Sequence, residues 1–305
     1  MSDRNPQPPA SMSFGDDSPL LTSNDALRET LEERGYICLR GFLSQQPLLA
    51  LRRDLLNICR RHGWLDDTTE PLQGIANPAQ ACAEPEPAWM EVYREVQLLE
   101  SFHALAHDDS IMRLMEGLAD EPVFVQPSKI CRLKFPDDTR ASTAPHQDYL
   151  FIQGSHHTWT CWLPLGDVPR SMGGISVMHG SNCESLLPCR LTPGTTNKRE
   201  AIVDNLDYPW VEGDFELGDV VVLSCMTVHR GLPNCSGNRL RISVDYRYQP
   251  VSEPIVEDWI DVHRKLHRWE NVYQNWQSDE WKYYWKQLDL KLIPLDAKLL
   301  EPVSC

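Results

Sequence analysis

The chain has 305 residues with 44 acidic and 29 basic side chains, which gives a formal net charge of -15. A surface this acidic repels phosphate backbones and anionic lipids, so nucleic acid and membranes are not expected partners. The sequence shows no basic region followed by an apolar run at its N-terminus, no apolar stretch of ~18 residues and no CxxC pair among its ten cysteines, so we expect a cytoplasmic protein with reduced thiols.

The first segment of the chain has the composition of a disordered tail. Residues 1–22 are rich in Pro, Ser and Asp, and a single domain is expected over residues 23–305. Apolar residues at mixed spacings of three and four predict helices early in this domain, with a strand candidate starting at Tyr36. The predicted helical segments are residues 24–35, 44–62 and 88–119.

After Pro122 the pattern of apolar residues becomes typical of β-strands. Short apolar runs recur between Gly, Pro, Asn and Asp, which predicts a β core over residues 122–250 arranged as a sandwich or barrel. Within it, residues 190–212 have few periodic apolar side chains and are interpreted as an insertion of the kind that often serves as a lid. Residues 253–295 are rich in tryptophan and are predicted to form a helical C-terminal extension.

A candidate metal site follows from three side chains. His146 and Asp148 are two apart, so an extended strand would project both to the same face. His229 follows the apolar run 220–223, at the end of another strand candidate. Two imidazoles and one carboxylate on one face are typical of non-haem iron(II) oxygenases, because three coordination positions stay open. An isolated HxD pair is also compatible with a surface strand whose aspartate forms a salt bridge.

A second polar pattern begins ten residues after His229. Arg239, Arg241, Ser243 and Asp245 alternate with apolar residues, so they share one face of a predicted strand. An inward-facing guanidinium can bind a carboxylate through two parallel hydrogen bonds. The alternative interpretation is an edge strand with solvated arginines.

Several motifs together resemble the phytanoyl-CoA dioxygenase family of iron(II)/2-oxoglutarate oxygenases. They occur in the expected order over residues 25–250 and include the triad described above. The further motifs are Gly35-Tyr36-Ile37-Cys38-Leu39-Arg40-Gly41, Trp162-Leu163-Pro164-Leu165-Gly166-Asp167-Val168 and Gly173-Gly174-Ile175-Ser176-Val177-Met178-His179-Gly180-Ser181-Asn182.

The resemblance implies a mainly β fold with flanking helices, the double-stranded β-helix or cupin-like jelly roll. It implies Fe(II), 2-oxoglutarate and O₂ as cofactors, with His146, Asp148 and His229 as metal ligands. The family spacing for the arginine that binds 2-oxoglutarate falls between two candidates. We favour Arg241, with Ser243 beside it, and keep Arg239 as the alternative.

The resemblance also implies a dioxygenase that hydroxylates an aliphatic C–H bond and releases succinate and CO₂. The expected substrate is a small metabolite or natural-product intermediate, and Tyr149 and Trp162 are candidate pocket residues. Three alternatives stay open: a non-catalytic jelly-roll binding protein, a metal-dependent hydrolase or lyase, and the same cofactors with desaturation, cyclisation or epimerisation as the outcome. The oligomeric state is not predicted.

Overall fold

The computed structural model describes residues 11–137, 140, 142–193 and 198–303. Most of its strands form two sheets. The first has the order β1-β10-β7-β12-β5, and its strands are β1 (Met12–Ser13), β5 (Thr143–His146), β7 (Ile175–Met178), β10 (Trp210–Glu212) and β12 (His229–Gly231). The second has the order β2-β11-β6-β13-β3 with β4 also on β13, and its strands are β2 (Tyr36–Leu39), β3 (Val123–Val125), β4 (Ile130–Lys134), β6 (Trp159–Pro164), β11 (Val220–Ser224) and β13 (Arg241–Pro250).

The two sheets pack face to face, as the alternation of side chains along their strands requires. One apolar cluster joins Val177 of the first sheet to Cys38 and Val221 of the second. The opposite face of the second sheet, with Ile242 and Val244, belongs to a larger cluster shared with the helices. Because successive residues of a strand point to opposite faces, Arg241 and Ser243 are directed between the sheets. This arrangement confirms the predicted jelly-roll type of fold.

Five helices cover the outer face of the second sheet through their buried apolar residues. The first begins after Ser23, whose hydroxyl accepts a hydrogen bond from the amide of Ala26 at 3.2 Å, and ends at Gly35 in the left-handed region with φ +80°. None of the helices in the described part of the chain combines the length and the apolar character needed to cross a bilayer. The five are α1 (Asn24–Arg34), α2 (Gln45–Arg61), α3 (Pro87–Val96), α4 (Glu100–Ala104) and α5 (Asp109–Ala119).

The prediction of a disordered tail over residues 1–22 is wrong for residues 11–22, while residues 1–10 lie outside the described residues. Strand β1 adds to the first sheet parallel to β10, and the Phe14 ring packs 5.4 Å from that of Tyr36. The buried carboxylate of Asp17 accepts a hydrogen bond from the Cys38 amide at 2.9 Å. These contacts are made with residues distant in the sequence. They leave no signal in the local composition, which therefore suggested disorder.

The helical extension predicted for residues 253–295 is wrong in its form. This segment consists of 3₁₀ turns, one short helix α7 (Trp269–Val272), and a parallel pair of strands, β14 (Ile255–Val256) and β15 (Leu292–Ile293). Buried aromatic rings hold it together, with Trp269 and Trp285 at 4.8 Å between ring centroids. Interlocking rings of this size stabilise irregular backbone without the apolar stripe of a long helix.

The insertion at 190–212 contains a hairpin of β8 (Cys189–Leu191) and β9 (Arg199–Ala201), and the C-terminal segment binds to it. The Val303 amide donates to the carbonyl of Cys189 at 2.9 Å, and Arg199 Nε donates to the carbonyl of Leu300 at 2.9 Å. The Gln153 amide forms two hydrogen bonds with the backbone of Asp296, at 3.0 and 2.7 Å. Residues 296–303 therefore connect this hairpin to the segment that follows Asp148.

Deleting residues 296–305 is expected to loosen this hairpin without unfolding the two sheets. Each lost hydrogen bond contributes ~0.5–1.5 kcal/mol, so losing several should speed amide exchange in residues 189–191 and 199–201 by at least about tenfold. Hydrogen–deuterium exchange of the full and shortened chains measures this effect, with the amides of β6 and β13 as the internal control. Unchanged exchange in the hairpin would show that the C-terminal segment does not hold it.

Candidate metal and cosubstrate site

Two histidines face each other on neighbouring strands of the first sheet. His146 ends β5 and His229 begins β12, and the antiparallel register places the two residues directly opposite each other. Their ring centroids are 4.2 Å apart, and both residues are buried. Strand pairing therefore brings together two side chains that are 83 positions apart in the sequence.

Hydrogen bonds to backbone carbonyls hold both imidazoles in place. The Nδ1 atom of His146 lies 2.8 Å from the carbonyl of Ala144, and that of His229 lies 3.0 Å from the carbonyl of Thr227. A carbonyl only accepts, so each Nδ1 carries the proton and each Nε2 keeps a free lone pair. Burial and the neighbouring His146 lower the pKa of His229 to about 4, so this ring is neutral at physiological pH.

Asp148 completes the group from the turn after β5. Its Oδ1 atom lies 3.5 Å from Nε2 of His146 and 3.9 Å from Nε2 of His229. Burial alone would raise the pKa of this carboxyl, but the charge of Arg247 outweighs burial and holds the pKa well below its usual value. Among the described residues, this is the only group of three or more candidate ligands within metal-binding distance. An ionised carboxylate and two Nε2 lone pairs fit a divalent iron ion.

The strand geometry around Asp148 differs from the prediction in one respect. Strand β5 ends at His146, and Asp148 has helical backbone angles of φ -59° and ψ -32° that lead into the short helix α6 (Tyr149–Ile152). Gln147 points away from the ligands, since its amide donates to the carbonyl of Met226 at 2.8 Å and accepts from the amide of Leu187 at 2.8 Å.

Buried hydrogen-bond donors from the second sheet lie across the cavity from the three ligands. Lys134 of β4 pairs directly with Arg241 of β13, and both side chains line the cavity that holds the triad. Lys134 Nζ and Arg241 Nε are buried and have no hydrogen-bond partner among the described residues. The Ser243 hydroxyl is also buried and without such a partner, although Ser243 does not line the cavity itself. Unpartnered buried donors are costly, so they indicate a site for an anionic ligand such as a carboxylate.

Lys134 is one residue of this site that the sequence analysis did not predict. A Cβ atom at Gly231 would lie 3.0 Å from Lys134 Nζ, so this glycine leaves room for the ammonium group. Burial and the charges of Arg241 and Arg132 lower the pKa of Lys134 well below its usual value. The available signal was the alternation along β4, which places Lys134 on the same face as Arg132, but a lone lysine in a strand rarely attracts attention.

Of the other predicted residues, Trp162 lines the cavity, whereas Tyr149 and Arg239 lie outside it. Trp162 lines the metal cavity and packs against Phe215 at 4.7 Å between ring centroids. Tyr149 is absent from the cavity lining and stacks on His156 at 4.1 Å. Arg239 is half-buried beside a separate surface cleft that it shares with Arg52, outside the metal cavity. The structure therefore favours Arg241 over Arg239 as the residue that faces the three ligands.

Comparison with known proteins identifies the family. The sequence profile of the phytanoyl-CoA dioxygenase (PhyH) family matches residues 31–242, which is more than half of the chain. The chain belongs to the phytanoyl-CoA dioxygenase family. As a member of it, the protein is an iron(II)- and 2-oxoglutarate-dependent oxygenase, and the predicted family, enzyme class and cofactors are confirmed. The matched segment contains the three candidate ligands as well as Lys134 and Arg241.

Individual relatives of this protein have low sequence identity to it. The chain is 27% identical over 258 residues to 1-deoxypentalenic acid 11-beta-hydroxylase of Streptomyces arenae, covering 78% of this chain and 86% of the relative. Among solved structures, the carbocyclase SnoK from nogalamycin biosynthesis is 22% identical with a TM-score of 0.53, covering 79% of this chain and 89% of that one. EctD from S. alaskensis is 13% identical with a TM-score of 0.52, covering 94% and 93%. At these identities the two structures support the fold alone.

Proposed function

We propose that this oxygenase hydroxylates an aliphatic C–H bond of a small metabolite or natural-product intermediate, with His146, Asp148 and His229 as its iron ligands. One observation supports these roles above the others. Two Nε2 atoms and one carboxylate oxygen converge on a cavity whose opposite wall carries the unpartnered nitrogen atoms of Lys134 and Arg241. This combination fits a metal ion and a dicarboxylate cosubstrate together.

The cationic wall is suited to the distal carboxylate of 2-oxoglutarate. Arg241 and Lys134 would hold it through charge-assisted hydrogen bonds, and the Ser243 hydroxyl would add a third donor. When bound, the iron and 2-oxoglutarate supply the oxidising chemistry, with succinate and CO₂ as coproducts. The protein contributes binding and orientation, and Trp162 limits the space beside the cosubstrate.

The proposed substrate class rests on the hydroxylase relative and on charge. That relative is named for the 11-beta-hydroxylation of a small organic acid. The net charge of -15 disfavours polyanionic partners, so we propose a free small molecule in the cytoplasm instead of a nucleic acid or a membrane. Desaturation, cyclisation and epimerisation need the same cofactors and remain the alternative outcomes, whereas a non-catalytic jelly roll has no use for the complete set of ligands and donors.

Anaerobic titration tests the site before any substrate is known. Adding Fe(II) and then 2-oxoglutarate to the purified protein is expected to produce a weak visible charge-transfer band. Admission of O₂ with a candidate acid should then release succinate, and the product should gain one oxygen atom. Bound iron without this band would mean that the 2-oxo acid does not chelate the metal, which favours a hydrolase or a binding protein. A product with two hydrogen atoms fewer than the substrate would indicate desaturation or cyclisation. Tight binding of a CoA thioester would contradict the proposed substrate class.

Binding of 2-oxoglutarate is expected to take up a proton at Lys134. Burial and nearby cations favour the neutral amine in the empty cavity, whereas a bound carboxylate favours the ammonium form and raises its pKa. Affinity should therefore be highest below the pKa of the free site and should fall as pH rises towards the pKa of the complex. Calorimetry in buffers of different ionisation enthalpy measures the proton uptake.

Lys134→Met is the variant that tests this assignment. The variant should abolish the proton uptake and lower the affinity for 2-oxoglutarate by about 10- to 100-fold, since a hydrogen bond to a charged group contributes ~1.5–3 kcal/mol. If Lys134→Met retains both the proton uptake and the affinity, Lys134 does not bind the cosubstrate.

A further inference from the structure

The two carboxylate oxygens of Asp148 have different surroundings. Oδ1 faces the Nε2 atoms of the two histidines, whereas Oδ2 accepts a hydrogen bond from the Thr160 hydroxyl at 2.6 Å. Arg247 contacts both oxygens, with Nε 3.3 Å from Oδ2 and Nη2 3.2 Å from Oδ1. One oxygen is thus directed towards the metal position, and the other is held on the side of the second sheet.

These contacts cross between the sheets. Asp148 follows a strand of the first sheet, whereas Thr160 and Arg247 stand opposite each other on β6 and β13 of the second sheet. The side chains of Asp148 and Arg247 are each only 4% exposed. Among the described residues, no other carboxylate lies within 4.0 Å of the Arg247 guanidinium. The arrangement therefore commits a buried arginine to a single carboxylate.

Arg247 is itself covered by the C-terminal extension. Its guanidinium lies 4.9 Å from the centre of the Trp259 ring, a cation–π distance. The Trp259 indole N–H donates to the carbonyl of Phe151 at 3.3 Å, and the Trp259 carbonyl accepts from the amide of Ser128 at 3.1 Å. Both Arg247 and Trp259 lie beyond residue 242, where the family match ends.

We propose that Arg247 is a positioning residue for the metal site. By gripping Asp148 together with Thr160, it fixes the carboxylate so that Oδ1 alone faces the metal, which leaves the other coordination positions for cosubstrate and O₂. Trp259 holds the guanidinium in the required plane, so the extension outside the family match contributes to the metal site. This inference rests on the proposed iron ligands.

The charge of Arg247 and its proposed positioning role predict opposite effects of Arg247→Met on metal affinity. A cation beside a metal site repels the incoming metal ion, so its charge alone would make Arg247→Met bind metal more tightly. The positioning role predicts weaker binding, because a methionine leaves the carboxylate free to rotate. Arg247→Lys keeps the charge but has no planar fork, so it should also bind metal more weakly.

Titration with Co(II) provides the test, because it measures affinity without turnover and its visible spectrum reports coordination number. Arg247→Met and Arg247→Lys should each lower the affinity for Co(II) by about 10- to 100-fold, which is the usual effect of losing a hydrogen-bond partner of a metal ligand. Their spectra should shift towards higher coordination as Asp148 contributes both oxygens. Trp259→Ala should give a smaller loss of affinity, and Trp259→Phe should retain more of it. Arg61→Met, at a side chain 59% exposed and paired with Glu95, is the control.

The outcomes separate this inference from the proposed function. If the wild-type protein fails to bind Co(II), the proposed metal site itself is wrong. If the wild type binds and both Arg247 variants match it in affinity and spectrum, the positioning role is wrong. Thr160→Val replaces the hydroxyl with a methyl group of similar size, so it tests the hydrogen bond to Oδ2 even if the Arg247 variants do not fold. In that case, a wild-type spectrum and affinity for Thr160→Val would overturn the proposal.

Discussion

Asp148→Ala is expected to abolish 2-oxoglutarate turnover and to weaken Fe(II) binding by more than ~100-fold. Changes in the outer partners of metal ligands already cost about 10- to 100-fold, and this change removes the only carboxylate of the triad. It also leaves the buried charge of Arg247 without its partner. Anaerobic Fe(II) titration and succinate formation measure the two losses, and the visible band formed with 2-oxoglutarate should disappear.

Asp279→Ala is the matched control for this prediction, since that carboxylate is 92% exposed and forms a surface ion pair with Lys282. It should keep the affinity and the turnover of the wild type. Wild-type iron affinity in Asp148→Ala would show that the metal binds elsewhere. A thermal melt of each variant separates loss of metal binding from loss of folding.

Arg241→Met is expected to raise the KM for 2-oxoglutarate by roughly 30- to 4,000-fold. Removing one partner of a buried, hydrogen-bonded charge pair costs about 2–5 kcal/mol, and each ~1.4 kcal/mol is a factor of ten. Methionine roughly preserves the volume of the side chain, so the strand pairing with Lys134 should survive. Initial rates of succinate formation at varied 2-oxoglutarate concentration measure the change.

Arg239→Met supplies the comparison, because Arg239 lies beside another cleft two residues earlier in the chain. Its KM for 2-oxoglutarate should stay within about twofold of the wild-type value, as expected for a half-buried residue outside the site. The reverse result, with Arg239→Met defective and Arg241→Met normal, would assign the cosubstrate to Arg239. An effect of both variants would indicate a disturbed strand instead of a lost contact.

The sequence indicated the ligand set because the metal requires particular residue types at constrained positions. His146 and Asp148 are two residues apart, and His229 ends an apolar run, so their chemistry was visible without coordinates. The expectation of a shared strand face was only approximately right. Asp148 reaches the site from a turn, because β5 stops at His146. Its assignment as a ligand remains a prediction that the variants above test.

Contacts distant in sequence account for the errors of the sequence analysis. Phe14 and Asp17 become ordered through contacts with Tyr36 and Cys38, each more than twenty positions later in the chain, so composition alone suggested a disordered tail. The buried tryptophans of the C-terminal extension pack together, but their spacing in the sequence does not reveal that they stabilise short turns. The match to the family ends at residue 242 and gives no information about this part of the chain.

The sequence by itself determined the mainly β fold, the family and the residue types of the candidate metal site. Only the tertiary structure showed that Lys134 faces Arg241, and that Arg247 and Thr160 hold the carboxylate of Asp148. The physical reason is strand register. The pairing of β4, β6 and β13 depends on how the whole sheet packs, and a shift of one residue would direct each of these side chains to the opposite face.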